Sequence, residues 1–255
     1  MILSLCRVIH TRAVGENIFL LRFSSPALSS GIKPGQFLNI RVSEGTDPLL
    51  RRPFSVYRVD GDDLEIIFSV IGRGTNALSQ KRENDILDIL GPLGTPYTVA
   101  SDSYVQALLV AGGLGVAPLP ILTRALQRAQ KKIATFVGAR SRSALVTDHL
   151  ENVQVATDDG SQGFRGTVVD LLRSDLSRGT YTRPKIFACG PTAMLRAVAD
   201  AAREFDVPCE VSLEGAMACG FGICQGCPVE LTDGPQRYAL MCKDGPVFDT
   251  RRIKI

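Results

Sequence analysis

The chain has no block of basic residues. Its 29 lysines and arginines stand against 26 aspartates and glutamates, a net charge of +3 over 255 residues. A nucleic-acid partner therefore has no electrostatic support. There are two histidines, His10 and His149, and both lie apart from every motif, so they read as surface or packing residues. No Ser/His/Asp set stands in a recognisable frame, which leaves hydrolytic catalysis without support. A phosphate loop of the G-x-x-x-x-G-K-[ST] form is missing too, as are internal repeats and low-complexity tracts. The opening MILSLCRVIHTR has no basic leading region and Arg7 interrupts its apolar run, so a secretory signal is not expected. The longest apolar stretch, 105–122, holds one strongly polar residue, Gln106, but is broken by Gly112, Gly113, Gly115, Pro118 and Pro120. A strand, a glycine turn and a helix start are expected there, and no membrane span.

What the chain does have is cysteine in an uneven distribution. Four of its seven cysteines fall in the last forty residues: Cys219, Cys224 and Cys227 read C-x4-C-x2-C, and Cys242 follows after a gap. That is the plant-type spacing for a [2Fe–2S] cluster, which accepts and passes single electrons. Gly215, Gly220, Gly222 and Gly226 thread between the ligands and would let backbone N–H groups point at the sulfurs. Structural zinc usually shows paired C-x2-C units, of which there is one here. The alternative that zinc represents is a non-catalytic, zinc-stapled docking module. Disulfide scaffolds belong to short secreted chains, so a reducing, cytoplasmic setting is expected. Cys6 and Cys209 read as buried packing residues.

With 45% apolar residues the chain can bury a substantial core. Residues 1–100 read as a small antiparallel barrel of six short strands, over 3–11, 18–23, 37–42, 53–59, 64–70 and 86–90. Residues 101–213 alternate strands (105–111, 133–138, 153–157, 185–189, 209–213) with helices (117–130, 167–173, 192–205), the pattern of a parallel sheet with helices on both faces. Residues 214–255 are rich in glycine and cysteine and too poor in apolar residues to build a core alone, so a metal cluster is expected to organise them.

Four further motifs carry possible chemistry. In Arg52-Pro53-Phe54-Ser55 the arginine can hold a pyrophosphate through paired hydrogen bonds and Ser55 can offer its hydroxyl to a ring edge. The same four residues also suit an ordinary edge strand. In Gly72-Arg73-Gly74-Thr75 the glycines permit close approach of a phosphate and Thr75 can cap the helical turn that follows; a plain hairpin loop reads equally well. Gly112-Gly113-Leu114-Gly115-Val116-Ala117-Pro118 joins a strand to a helix, the context of a dinucleotide-binding turn, with Pro118 where a third glycine would stand. Cys189-Gly190-Pro191 closes a strand, where ligands of parallel sheets sit, and would place Cys189 near a bound nicotinamide. Cys189 as a small buried hydrophobe is the other reading.

In this order the motifs resemble the ferredoxin–NADP reductase superfamily. Within it they are similar to the iron–sulfur flavoprotein subunits that serve class 1B dihydroorotate dehydrogenases. Segments 157–161 (TDDGS) and 214–220 (EGAMACG) resemble that group as well. The resemblance implies an FAD-binding barrel at 1–100, an NAD-binding α/β domain at 101–213 and a cluster-binding region at 214–255. It places FAD on Arg52, Pro53, Phe54 and Ser55, on Ser69, Val70 and Ile71, and on Gly74 and Thr75. It places NAD(H) on Gly112, Gly113, Gly115, Ala117 and Pro118, with Cys189, Gly190 and Pro191 nearby. The [2Fe–2S] cluster falls on Cys219, Cys224, Cys227 and Cys242. No acid or base catalyst is implied; Ser55 and Cys189 are candidate neighbours of the flavin–nicotinamide contact. The implied function is electron transfer between NAD(H) and an FMN-containing dihydroorotate dehydrogenase catalytic subunit, in a heterotetramer of two of each, for oxidation of dihydroorotate to orotate in pyrimidine biosynthesis. Reductase subunits of ferredoxin-dependent NADPH oxidoreductases and of hydrogenase complexes share the same parts. Arg140 and Arg142, after the second strand of the nucleotide domain, can sit near a 2′-phosphate.

Overall fold

The computed structural model describes residues 1–232 and 234–255. The first sheet is antiparallel and has seven strands: β1 (Ile2–Gly15), β2 (Ile18–Ser24), β3 (Phe37–Arg41), β4 (Arg52–Ser55), β5 (Arg58–Asp60), β6 (Asp63–Ser69) and β7 (Ile86–Leu93), in the order β4-β3-β7-β1-β2-β6-β5. Two short helices, α1 (Pro26–Ser29) and α2 (Arg73–Ser79), cover its ends. Alternation writes this sheet: β7 buries every second residue, and Leu87 and Ile89 join Cys6, Leu21, Phe23, Leu38 and Ile66 in one core. The expected strand 53–59 is two strands, so six become seven. Val56 and Tyr57 are consecutive and both buried, which breaks the period of two: Val56 enters the barrel core and Tyr57 packs against the second domain. The break sends β4 and β5 to opposite edges of the order, so the sheet curls back on itself.

The second sheet contains β8 (Gln106–Gly112), β9 (Lys132–Ala139), β10 (Val153–Thr157), β11 (Phe164–Arg165), β12 (Pro184–Cys189) and β13 (Cys209–Ser212), all parallel. Its helices are α3 (Leu119–Arg128), α4 (Val168–Leu176) and α5 (Thr192–Glu204). A 3-10 turn over Gly113–Val116 comes first, so α3 is shorter than the expected 117–130. Pro118 and Pro120 occupy the start of α3, where a missing N–H costs nothing. Thr167 caps α4, accepting from the Asp170 amide at 3.1 Å while Asp170 reaches back to the Thr167 amide. One face of the sheet packs on α4 and α5; the other packs on α3 and on barrel residues Ile18, Leu20, Tyr57 and Ile67. The Tyr57 hydroxyl crosses this junction to donate to the Asp148 carbonyl at 3.2 Å.

The tail carries more organisation than its composition suggests. β14 (Pro228–Glu230) and β15 (Tyr238–Leu240) form a hairpin, and β16 (Val247–Asp249) runs antiparallel beside β13 as the edge strand of the second sheet. Val229, Ala239, Phe248 and Ile253 enter the core shared with α4 and α5. Too few to build a core alone, these apolar residues join the one that the neighbouring sheet provides. Among the described residues no helix is long and apolar enough to cross a membrane.

Candidate functional site

Two clefts open between the barrel and the second domain. The first, of about 450 Å³, lies beyond the carboxyl ends of β8 and β12, where the strand order reverses. Gly112, Gly113, Leu114, Pro191 and Met194 line its floor, with Arg140 and Asp158 at the strand ends and Glu16 and Asn17 reaching over from the barrel. Gly113 adopts φ +53, a conformation that side chains disfavour. Gly115 serves contact instead: a Cβ there would lie 2.2 Å from the Cys189 carbonyl oxygen and 2.5 Å from the Gly190 Cα. The glycine turn and the Cys189-Gly190-Pro191 corner are thus packed backbone to backbone. Pro118 is the N-cap of α3, and Ala117 faces the second cleft.

The second cleft, of about 510 Å³, is walled by Pro53, Phe54 and Ser55 of β4, by Ser69, Ile71 and Thr75, and by Phe37, Ala117, Glu214 and Met217. Ser69 and Leu114 line both clefts, so the two meet there. Arg52 lies against Gly74, whose added Cβ would stand 3.4 Å from its Nε, which brings the arginine and glycine motifs to one place. Thr75 does not cap the turn after it. The helix starts two residues earlier, at Arg73, and the Thr75 hydroxyl accepts from the amides of Ile71 (2.9 Å) and Gly72 (3.2 Å), closing the loop behind it. Val70 packs against the barrel core. Cys189 is buried and its thiol donates to Glu214 Oε1 at 3.8 Å. Burial, with the Glu214 carboxylate adding to it, holds that thiol well above its ordinary value. Glu214 is itself exposed, but the protein crowded around the cleft raises its carboxyl above the usual range.

The four tail cysteines lie beside this cleft. Cys227 and Cys242 are buried with their sulfurs 3.3 Å apart, packed with Phe37 and Leu93; Cys224 is exposed and Cys219 half-buried. Backbone amides converge on the sulfurs: Cys224 N–H on Cys219 at 3.4 Å, Gly226 N–H on Cys224 at 3.4 Å and Cys242 N–H on Cys227 at 3.5 Å. Burial alone would raise the Cys219 thiol; donors from the Cys224, Phe221 and Ile223 amides outweigh it and bring the thiol down to about 6. Burial and the Cys227 sulfur push Cys242 up to about 12. Gly220 (φ +78) and Gly222 (φ +91) supply the turns that point these amides inward. Among the described residues, no three of His, Cys, Asp and Glu converge closely enough to hold a single metal ion, as structural zinc requires. The thiols stand as two pairs within an N–H cage, and this donor set fits a [2Fe–2S] cluster that Cys219, Cys224, Cys227 and Cys242 would hold. Sequence reasoning missed Glu16, Asn17 and Met194, which carry no motif and reach the site only through the fold, and Phe37, which reads as an ordinary barrel residue.

The fold recurs in solved structures. A ferredoxin–NADP reductase from Neisseria gonorrhoeae with bound FAD and NADP superposes with a TM-score of 0.64 at 16% identity, over 80% of this chain and 91% of that one. An NADH-dependent reduced ferredoxin–NADP oxidoreductase studied for flavin-based electron bifurcation superposes with a TM-score of 0.87 at 33% identity, over 98% of this chain and 90% of that one. With its paired clefts and thiol cage, the protein is a flavin- and nicotinamide-dependent oxidoreductase of the ferredoxin–NADP reductase type. Residues 214–254 match the iron–sulfur cluster binding domain of dihydroorotate dehydrogenase B. The electron transfer subunit of dihydroorotate dehydrogenase B (NAD(+)) from Desulforamulus reducens is 36% identical over 97% of this chain and 96% of its own length; that of Bacillus caldolyticus is 36% identical over 94% of each. The chain belongs to this family of dihydroorotate dehydrogenase B electron transfer subunits.

Proposed function

We propose that this chain passes electrons between NAD(H) and the catalytic subunit of dihydroorotate dehydrogenase B, through FAD and a [2Fe–2S] cluster. The observation that carries the reading is continuity. The first cleft shares Ser69 and Leu114 with the second, and Phe37 lies both on the wall of the second cleft and against Cys227 and Cys242. NADH delivers a hydride and a cluster takes single electrons, so the flavin supplies the two-to-one conversion between them.

The residues divide accordingly. Residues 1–100 hold FAD: Arg52 binds the pyrophosphate through charged hydrogen bonds, with Gly74 and Thr75 at the phosphates, while Pro53, Phe54, Ser55, Ser69, Val70 and Ile71 complete the site. Residues 101–213 hold the nicotinamide nucleotide, with Gly112, Gly113, Gly115, Ala117 and Pro118 forming the turn and Cys189, Gly190 and Pro191 the opposing corner. Ser55 and Cys189 neighbour the place where the two rings meet. Asp158 suits a ribose hydroxyl, the arrangement for NAD, and Arg140 stands beside it in the same cleft. Residues 214–255 hold the cluster on Cys219, Cys224, Cys227 and Cys242. The partner carries FMN and the dihydroorotate site, the assembly is a heterotetramer of two of each, and it works in the cytoplasm.

An anaerobic visible spectrum of the purified chain tests this. Flavin and iron–sulfur bands that bleach on addition of NADH are expected. A colourless protein carrying zinc would overturn the redox reading. Bands bleached by NADPH alone would move the chain toward the NADPH-linked ferredoxin reductases, the second reading that Arg140 favours.

A further inference from the structure

Between the barrel and the cysteine loop stands one buried amide. Asn39, on β3, is 2% exposed, and its Nδ2 donates to the Cys219 carbonyl at 2.9 Å across 180 residues of sequence. Its backbone is held in turn: the Asn39 carbonyl accepts from Arg51 Nη1 at 3.4 Å, and Arg51 grips both carboxylate oxygens of Asp88, on the neighbouring strand β7, at 2.8 Å. Gly220 presses on the same amide. It has φ +78, and a Cβ there would lie 2.4 Å from Asn39 Nδ2. The peptide that follows Cys219 is therefore fixed to the rigid sheet at the point where the loop 219–224 begins. From that point the loop folds back so that its own amides, Cys224 N–H at 3.4 Å among them, face the Cys219 sulfur.

We propose that Asn39 is a positioning residue that sets the cluster's reduction potential. Its amide pins the Cys219–Gly220 peptide to the barrel and so fixes the N–H donors around the Cys219 sulfur. Donors to a ligating sulfur stabilise the more negative, reduced cluster and raise its potential. The pair also resists opening, because its donor end is buried and the Asn39 amide would be left unsatisfied. The barrel would then bind the flavin on one side and tune the acceptor of its electrons on the other. This inference rests on the reading that the four cysteines bind a [2Fe–2S] cluster.

The test uses the full chain loaded with FAD and cluster, and the variants Asn39→Leu, which keeps the volume without the donor, and Asn39→Ser, which is too short to reach Cys219. Iron, sulfide and FAD contents are measured first, then the electron paramagnetic resonance spectrum of the reduced cluster and its potential by redox titration. Both variants should keep FAD and cluster, shift the g-values, and move the one-electron equilibrium about tenfold against the reduced cluster, about 59 mV for one electron. The flavin potential should not move. Wild-type g-values and potential in variants with full iron would overturn the proposal, and so would outright cluster loss from both, which would leave Asn39 a structural brace. A wild-type protein lacking iron and sulfide would instead overturn the reading beneath it.

Discussion

Replacing Gly115 by alanine tests the joint between the glycine turn and the Cys189–Gly190 corner. The backbone at Gly115 is one that alanine can adopt, so the perturbation is steric. The new methyl would meet the Cys189 carbonyl oxygen at 2.2 Å, its carbon at 2.5 Å and the Gly190 Cα at 2.5 Å. All three are backbone atoms, and none can rotate away as a side-chain end would. Overpacking of this kind costs about 1–3 kcal/mol, and the rigid contact argues for the upper half of that range. For a chain of this size that corresponds to a fall in Tm of roughly 4–12 °C. The function should suffer more than the stability. Leu114, the preceding residue, lines both clefts, so pushing the turn outward displaces the surface proposed above as the meeting place of the nicotinamide and flavin rings. Misplacing reacting groups by about 1 Å can cost on the order of 100-fold in rate. The assay is anaerobic stopped-flow reduction of the flavin by NADH, read beside FAD content and thermal unfolding. Gly113→Ala is the matched comparison: its cost is conformational, about 1–2 kcal/mol for the left-handed backbone, with nothing within 4 Å of the new Cβ. Flavin reduction in Gly115→Ala should be at least tenfold slower than in Gly113→Ala, with FAD content unchanged in both. Equal rates in the two variants, or a wild-type Tm for Gly115→Ala, would refute the packing argument.

Further outcomes bear on the other two cofactor sites. Arg52→Ala removes a charged hydrogen bond worth about 1.5–3 kcal/mol, so FAD should bind roughly 10- to 150-fold more weakly by fluorescence titration; unchanged affinity would remove Arg52 from the site. Cys224→Ser should lose iron and sulfide while its flavin still bleaches with NADH, and a matching loss of FAD would mean that the two sites are not independent. Phe37→Ala opens a cavity at a residue 3% exposed and should destabilise by about 3–5 kcal/mol. Its flavin should still be reduced by NADH at the wild-type rate, while the following reduction of the cluster slows; an unchanged second phase would show that packing at Phe37 does not matter for the transfer.

Periodicity made most of the architecture readable from the amino acids. β10 falls at 153–157 as expected, and most of the other strands lie within two residues of the expected limits, because each is a short apolar or alternating run ended by a turn signal. The failures came where two environments meet. Residues 53–59 look like one strand, and only the presence of a second domain explains why Tyr57 leaves the ladder for another core. β11 has two residues, Phe164 and Arg165, and exists only by pairing with β10, so nothing local announces it. The cysteine spacing pointed directly to the place where the thiols gather, since the intervals between them are a covalent property of the chain. Asn39 could not be found this way: its partner is 180 residues distant, and an asparagine inside a barrel strand carries no pattern of its own.

The placement of β16 changes how the thiol cage should be filled. The segment that carries the four cysteines leaves the second sheet at β13 and rejoins it one strand over, so both of its ends are fixed by main-chain pairing rather than by metal. Phe248 and Ile253 anchor the return in the core shared with α4 and α5. Many small metal sites acquire their shape only as the metal binds, and their binding energy is spent on folding. Here the cage is an excursion between two neighbouring strands, and the frame that holds its ends is made of main-chain pairs and apolar packing. Removing the cluster should then leave β13 and β16 paired, which amide hydrogen exchange on the iron-free protein would check.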